Sequence, residues 1–145
     1  YQGSKVFERG GPFTDLFMVE PKLAKRDSRL QESGRLIRFE FERHRFPLQP
    51  MTVFYDWLYV TAIFPHREWL TRRLKGNFNY AGFTDIEFNP QKSVNCQARS
   101  CALFVELTHE GLLEGAVNSP ESFIDLMSRR AHVESGSELY QRLRV

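Results

Sequence analysis

The chain has 145 residues, 41% of them hydrophobic and 26% charged, with a formal net charge of +2 and a sequence pI near 8.7. That length is enough to bury a core without disulfide or metal staples, and so small a net charge does not make the single-signed surface that argues for nucleic acid from charge alone. No apolar run approaches the ~18 residues of a membrane span, and no signal peptide is visible. The two cysteines, Cys96 and Cys101, stand about 140° apart around a helix, which argues against a disulfide or a two-cysteine metal site. The expected product is one globular α+β domain over residues 1–145, helix-dominated with a small β-sheet and a core rich in its 13 phenylalanines. Reduced cytoplasm is its natural compartment, with no membrane partner.

In chain order, Lys5-Val6-Phe7 reads as a short strand and Gly10-Gly11-Pro12 as a loop. Residues 13–24 are apolar, but Pro21 permits only a short helix that starts at its own ring. Residues 35–42 alternate, with Ile37, Phe39 and Phe41 on one face and Arg38, Glu40 and Glu42 on the other, a half-exposed strand ended by Pro47 and Pro50. Thr52 is placed to cap a helix over residues 53–64, in which Asp56 is the only charge. Pro65 opens a second, amphipathic helix through residue 74. Residues 83–88 read as a strand, so that the sheet consists of strands near Val6, Ile37 and Ile86. A helix over 93–110 and a shorter one over 112–117 follow. Ser119-Pro120-Glu121 opens another through Arg130, and Ser137 caps a last one through Leu143.

Polar side chains interrupt these apolar elements at a few places, and buried polar groups need partners or a cleft. Asp85 and Glu87 lie two apart on one face of the predicted strand. Two carboxylates that close repel, so that one can keep a proton while its neighbour is ionised. Along the helix over 93–110, Asn95, Arg99, Ala102 and Glu106 fall within about 60° of arc on an otherwise apolar cylinder. Ala102 leaves room there for a ligand, and Arg99 offers a guanidinium to a phosphate. Asp56 is placed to act as a general base or to hold a ribose hydroxyl. The candidate catalytic residues are therefore Asp85, Glu87 and Asp56, and the candidate substrate-binding residues are Arg99, Asn95, Glu106, Arg26 and Arg29. Arg26 and Arg29 belong to one basic cluster, Arg43 and Arg45 to a second, and Arg67, Arg72, Arg73 and Lys75 to a third. The four histidines show no metal-ligand spacing, and no phosphate-binding glycine loop or nucleophile elbow is present. No metal and no cofactor is called for.

One echo joins Phe13-Thr14-Asp15-Leu16 to Phe83-Thr84-Asp85-Ile86. The second of these, running to Pro90 and followed by Ser93-Val94 and Gln97-Ala98, resembles the Phe-Ser-Asn-Phe … Pro … Thr-Val-Glu-His-Tyr-Phe-Gln-Ala pattern of the NADAR, or YbiA-like, family. That family comprises small, mostly helical N-glycosidases acting on ADP-ribose-type substrates. The glutamate–histidine pair of the pattern is absent before Gln97 and the spacing is shorter. The resemblance thus implies Asp85 as a pocket residue and assigns no catalytic acid. It implies a hydrolase of N-glycosidic bonds whose partner is a nucleotide or ADP-ribosyl small molecule. A nucleic-acid or nucleotide binder without catalysis, using Arg26, Arg29, Arg43 and Arg45, and a protein-interaction module with an aromatic surface are the alternatives.

Overall fold

The computed structural model describes residues 1–75, 82–84 and 95–142, with the side chains of 74, 75 and 134–142 left aside. The protein is α+β and helix-dominated, with one three-stranded antiparallel sheet among the described residues. Its backbone contacts divide it into two compact units, Tyr1–Leu48 and Gln49–Val145.

The first unit holds the sheet. Strand β1 (Lys5–Phe7) pairs with β2 (Leu36–Phe41) through Lys5 opposite Phe39, and β2 pairs with β3 (His44–Phe46) through Phe39 opposite Phe46 and Phe41 opposite His44. Val6, Phe7, Phe39 and Phe46 are its buried residues, whereas Ile37, predicted to share the face of Phe39, is exposed. The third strand is therefore His44–Phe46, while Ile86, from which a third strand was expected, lies outside the described residues. The hairpin turn explains why this strand is hard to read. Glu42 and Arg43 both have positive φ, 48° and 70°, the signature of a two-residue type I′ turn. Neither is the Gly, Asn or Asp that such a turn ordinarily announces. Two short helices, α1 (Pro21–Ala24) and α2 (Arg29–Glu32), complete the unit. Pro21 does open α1, and the Glu20 side chain accepts from the Lys22 N–H ahead of it.

The second unit is helical. Helix α3 (Val53–Ile63) is followed by α4 (Arg67–Lys75), α5 (Gln97–His109), α6 (Leu113–Val117) and α7 (Pro120–Arg142). Helix α3 packs on α5, α6 and α7, and Phe54, Trp57, Val60, Phe104, Leu107 and Phe123 are buried there. On α5 the buried residues Ser100, Phe104 and Leu107 span about 60° of the helix circumference, which leaves the remaining faces for other work.

Two boundaries and one cap differ from those read in the sequence. Helix α5 begins at Gln97, with Cys96 extended at φ −141° and ψ 124°, so Asn95 precedes the helix and does not continue its polar stripe. Helix α7 runs unbroken to Arg142, with no separate helix beginning at Ser137. Residues 131–135 contain no strong breaker, and Gly136 costs a helix only about 1 kcal/mol relative to Ala. Thr52 sits at the N-terminus of α3 but makes no side-chain capping bond; it adopts a left-handed φ of 75° and turns its hydroxyl elsewhere.

Candidate functional site

Thr52 turns its hydroxyl to Asp56. Its Oγ1 donates to Asp56 Oδ2 at 2.6 Å, while its carbonyl accepts the Asp56 N–H at 2.9 Å. A β-branched residue in the left-handed region is strained by about 1–3 kcal/mol, and here the strained residue is the one that grips the carboxylate. From α5, Ser100 Oγ donates to Asp56 Oδ1 at 2.6 Å. Asp56, 2% exposed, is thus held by one hydroxyl on each oxygen. Arg99 completes the set from the solvent side, its Nε 3.9 Å from Oδ2. A carboxylate has about four acceptor sites. The two hydroxyls fill two of them, and Arg99 stands beyond hydrogen-bond distance, which leaves capacity for a water or a sugar hydroxyl.

That capacity faces a cavity of about 230 Å³ lined by Asp56, Arg99, Ala102, Glu106 and Arg130, with Pro50, Met51, Val53, Leu103, Met127 and Ala131 as its apolar walls. Arg99, Ala102, Leu103 and Glu106 lie within about 100° of arc on α5, on a face distinct from its buried stripe. Arg130 enters from α7 and ion-pairs with both Glu106 and Glu110, the latter at 2.6 Å. The Arg130 guanidinium is thereby committed to two carboxylates at the edge of the cavity. Removing one of the hydroxyl clamps should be costly: Ser100→Ala leaves a buried carboxylate oxygen short of a donor and is expected to destabilise the protein by about 1.5–3 kcal/mol in denaturant unfolding. A loss below about 0.5 kcal/mol would show that Asp56 does not depend on Ser100.

The other sequence candidates lie elsewhere. Asp85 and Glu87 are outside the described residues. Asn95 is half-buried ahead of α5 and does not line the cavity. Arg26 and Arg29 belong to the first unit, where Arg26 is exposed and Arg29 is committed to two carboxylates. Arg29 Nη2 lies 2.6 Å from Asp15 Oδ2 and 2.9 Å from Asp27 Oδ2, and its guanidinium lies over the Phe13 ring. Hydrogen bonds from Arg29 hold the Asp15 and Asp27 carboxyls below the usual carboxylate range. Ser100 and Arg130 were not singled out in the sequence as site residues, and Thr52 was read there only as a helix cap. The spacing of Thr52 four residues before Asp56, on the same helical face, is the local signal that could have found it as one.

A larger cavity, about 590 Å³, opens between α4 and the α5–α6 turn, with Arg67, Glu68, Arg72, Thr108 and Glu114 among its walls. Its charges largely cancel, Arg67 Nε lying 3.6 Å from Glu114, and it contains no buried titratable group. The smaller cavity has a buried carboxylate, Asp56, in its wall. Among the described residues no His, Cys, Asp and Glu cluster is placed to hold a metal ion, and no helix is long and apolar enough to cross a membrane.

A small helix-dominated α+β protein with a buried, hydroxyl-clamped carboxylate beside the Arg99 guanidinium is the class that fold and cavity define. The chain belongs to the NADAR-DarT1 family, described as DarT1-associated NADAR antitoxins, whose family model matches residues 1–137. The NADAR likeness carried by residues 83–98 is thereby extended over nearly the whole chain. No curated protein matches it.

Proposed function

We propose that this protein counters its toxin by hydrolysis, cleaving the N-glycosidic bond that joins an ADP-ribosyl group to a base in nucleic acid. The observation that carries the reading is Asp56: a buried carboxylate with both oxygens anchored and acceptor capacity turned toward a cavity that also holds Arg99 and Arg130. In the reaction a water held by Asp56 attacks the anomeric carbon of the ribose as the carbon–nitrogen bond breaks. The water proton passes to Asp56, the bonding electron pair leaves with the base nitrogen, and that nitrogen is protonated. A positioned base of this kind contributes about 10²–10⁴-fold, and a carboxylate beside the anomeric carbon also stabilises the oxocarbenium-like charge of the transition state. Arg99, more than half exposed at the cavity mouth, suits a phosphate of the substrate. Asp85 and Glu87 are candidates for the group that protonates the departing base.

Nucleic acid as the carrier of the ADP-ribosyl group is favoured by α4. Trp69 is 56% exposed there and the Arg73 guanidinium lies 5.3 Å from its ring centre, an exposed aromatic with a cation beside it of the kind on which single-stranded bases stack. The test is release of ADP-ribose from a modified single-stranded oligonucleotide. Arg99→Ala is expected to raise KM by roughly tenfold or more, the value of a hydrogen bond to a charged group, and to lower kcat less. Absence of release from any ADP-ribosylated oligonucleotide by the intact protein would end this reading.

A further inference from the structure

Thr52 holds a backbone conformation that its side chain opposes. Its φ of 75° and ψ of −9° lie in the left-handed region, which suits Gly or Asn and is unfavourable for a β-branched residue. A threonine placed to cap α3 would instead be extended, its hydroxyl oxygen accepting an N–H from the first turn of the helix. No such bond is made. Neither the turn nor the cap accounts for a threonine at this position.

The bond that the hydroxyl does make is the one to Asp56 Oδ2, at 2.6 Å, while the Thr52 carbonyl accepts the Asp56 N–H at 2.9 Å. One residue thus fixes Asp56 through both its main chain and its side chain. Ser100 Oγ donates to the other carboxylate oxygen at 2.6 Å, and it comes from a different helix, α5. A carboxyl group held on one oxygen can still turn about its Cβ–Cγ bond, because that torsion is broad. Held on both oxygens, from the head of α3 and from α5, it is stopped from turning, and its remaining lone pairs keep one direction. Met51 and Val53, on either side of Thr52, line the 230 Å³ cavity with Asp56, whereas Thr52 is not among its walls. The hydroxyl therefore acts on a substrate only through the carboxylate. Backbone strain persists where the surrounding structure enforces it, and it collects at functional sites.

We propose that Thr52 is a positioning residue whose hydroxyl holds the Asp56 carboxylate at the angle from which it takes the proton of the attacking water. The inference rests on the hydrolase reading, in which Asp56 is the general base, and adds to it the group that sets the orientation of that base. The rate should accordingly depend on one atom of Thr52, Oγ1, and not on how well the residue suits its backbone.

The experiment uses the full chain as Thr52→Ser, Thr52→Val and Thr52→Gly beside Asp56→Asn. Each is assayed for ADP-ribose release from a modified single-stranded oligonucleotide, with the thermal midpoint measured on the same samples and rates taken per folded molecule. Thr52→Val keeps the shape and removes the donor. Its kcat is expected to fall roughly 10- to 100-fold, since a misplacement of about 1 Å costs as much as about 10²-fold, while KM stays nearly constant because Thr52 does not line the cavity. Thr52→Gly also removes the donor but relieves the backbone, so its kcat should be as low as that of Thr52→Val whatever its midpoint. Thr52→Ser keeps the hydroxyl and should keep most of the wild-type rate. Wild-type kcat in both Thr52→Val and Thr52→Gly, with Asp56→Asn inactive, would overturn the proposal and leave the hydrolase reading standing. A rate that recovers in Thr52→Gly alone would make Thr52 a backbone residue, and a raised KM at constant kcat would make it a substrate contact; either result overturns the proposal. An Asp56→Asn protein with the wild-type rate would remove the hydrolase reading and this inference with it.

Discussion

Asp56→Asn is expected to lower kcat for ADP-ribose release by about 10²–10⁴-fold, the contribution of a positioned general base, while leaving the protein folded. The substitution preserves shape and removes only the proton-accepting oxygen. Asn can still accept from one of the two hydroxyls that now donate to Asp56, Thr52 or Ser100. The other hydroxyl must turn to accept from the new amide, an exchange that costs on the order of 1–3 kcal/mol. A larger stability loss would confuse the result, so the thermal midpoint is measured beside the rate. Asp56→Ala, by contrast, strands both hydroxyls and empties part of the cavity wall, and is the poorer probe. A folded Asp56→Asn protein with a rate within about threefold of the wild type would mean that another group takes the proton.

The convergence of this site was partly legible in the sequence. Asp56 was visible as the one charge on an otherwise apolar helix, and the helical wheel placed Arg99, Ala102 and Glu106 on one stripe; the three residues line one cavity together with Asp56. What no local pattern carried was the pairing between elements. Ser100 lies 44 residues from Asp56 and Arg130 lies 20 from Glu110, and a single chain shows no trace of such distances. Asn95 left the stripe because α5 begins two residues later, at Gln97. Arg26 and Arg29 illustrate the opposite failure. A basic run suggested anion binding, yet Arg29 is neutralised within its own unit by Asp15 and Asp27; Asp27 is its neighbour in the same run, which the count of basic residues passed over.

The fold was legible where period and punctuation agreed. Strand β1, Pro21 at the head of α1, and the Ser119-Pro120 opening of α7 follow the rules for apolar strand runs, N1 proline and capping. It was illegible where tertiary context overrode local preference. Glu42 and Arg43 accept positive φ to close a hairpin without glycine, and Thr52 accepts it in order to reach Asp56.

Phe104→Ala is expected to have the largest effect on stability, about 3–5 kcal/mol, the usual cost of emptying a buried aromatic site. Phe104 is 1% exposed and lies on the buried stripe of α5, the helix that also presents Arg99, Ser100 and Glu106 to the site. The side chain removed is large, and Phe54 and Trp57 of α3 and Leu107 of α5, the two helices that pack together, are themselves buried, so collapse around the void is limited by packing that is already dense. A protein of ordinary stability, 5–15 kcal/mol, would be left with a small margin and a thermal midpoint lowered by more than about 10 °C. Catalysis should respond differently from the case of Asp56. At a temperature where Phe104→Ala remains folded, α5 keeps its place through α3, α4 and α6, and the rate per folded molecule should fall by less than about tenfold. Denaturant unfolding followed by far-ultraviolet circular dichroism, with activity measured on the same samples, separates the two effects. A stability loss below about 1 kcal/mol would mean that Phe104 is not in the core, and a collapse in rate without loss of stability would mean that it acts on the site directly.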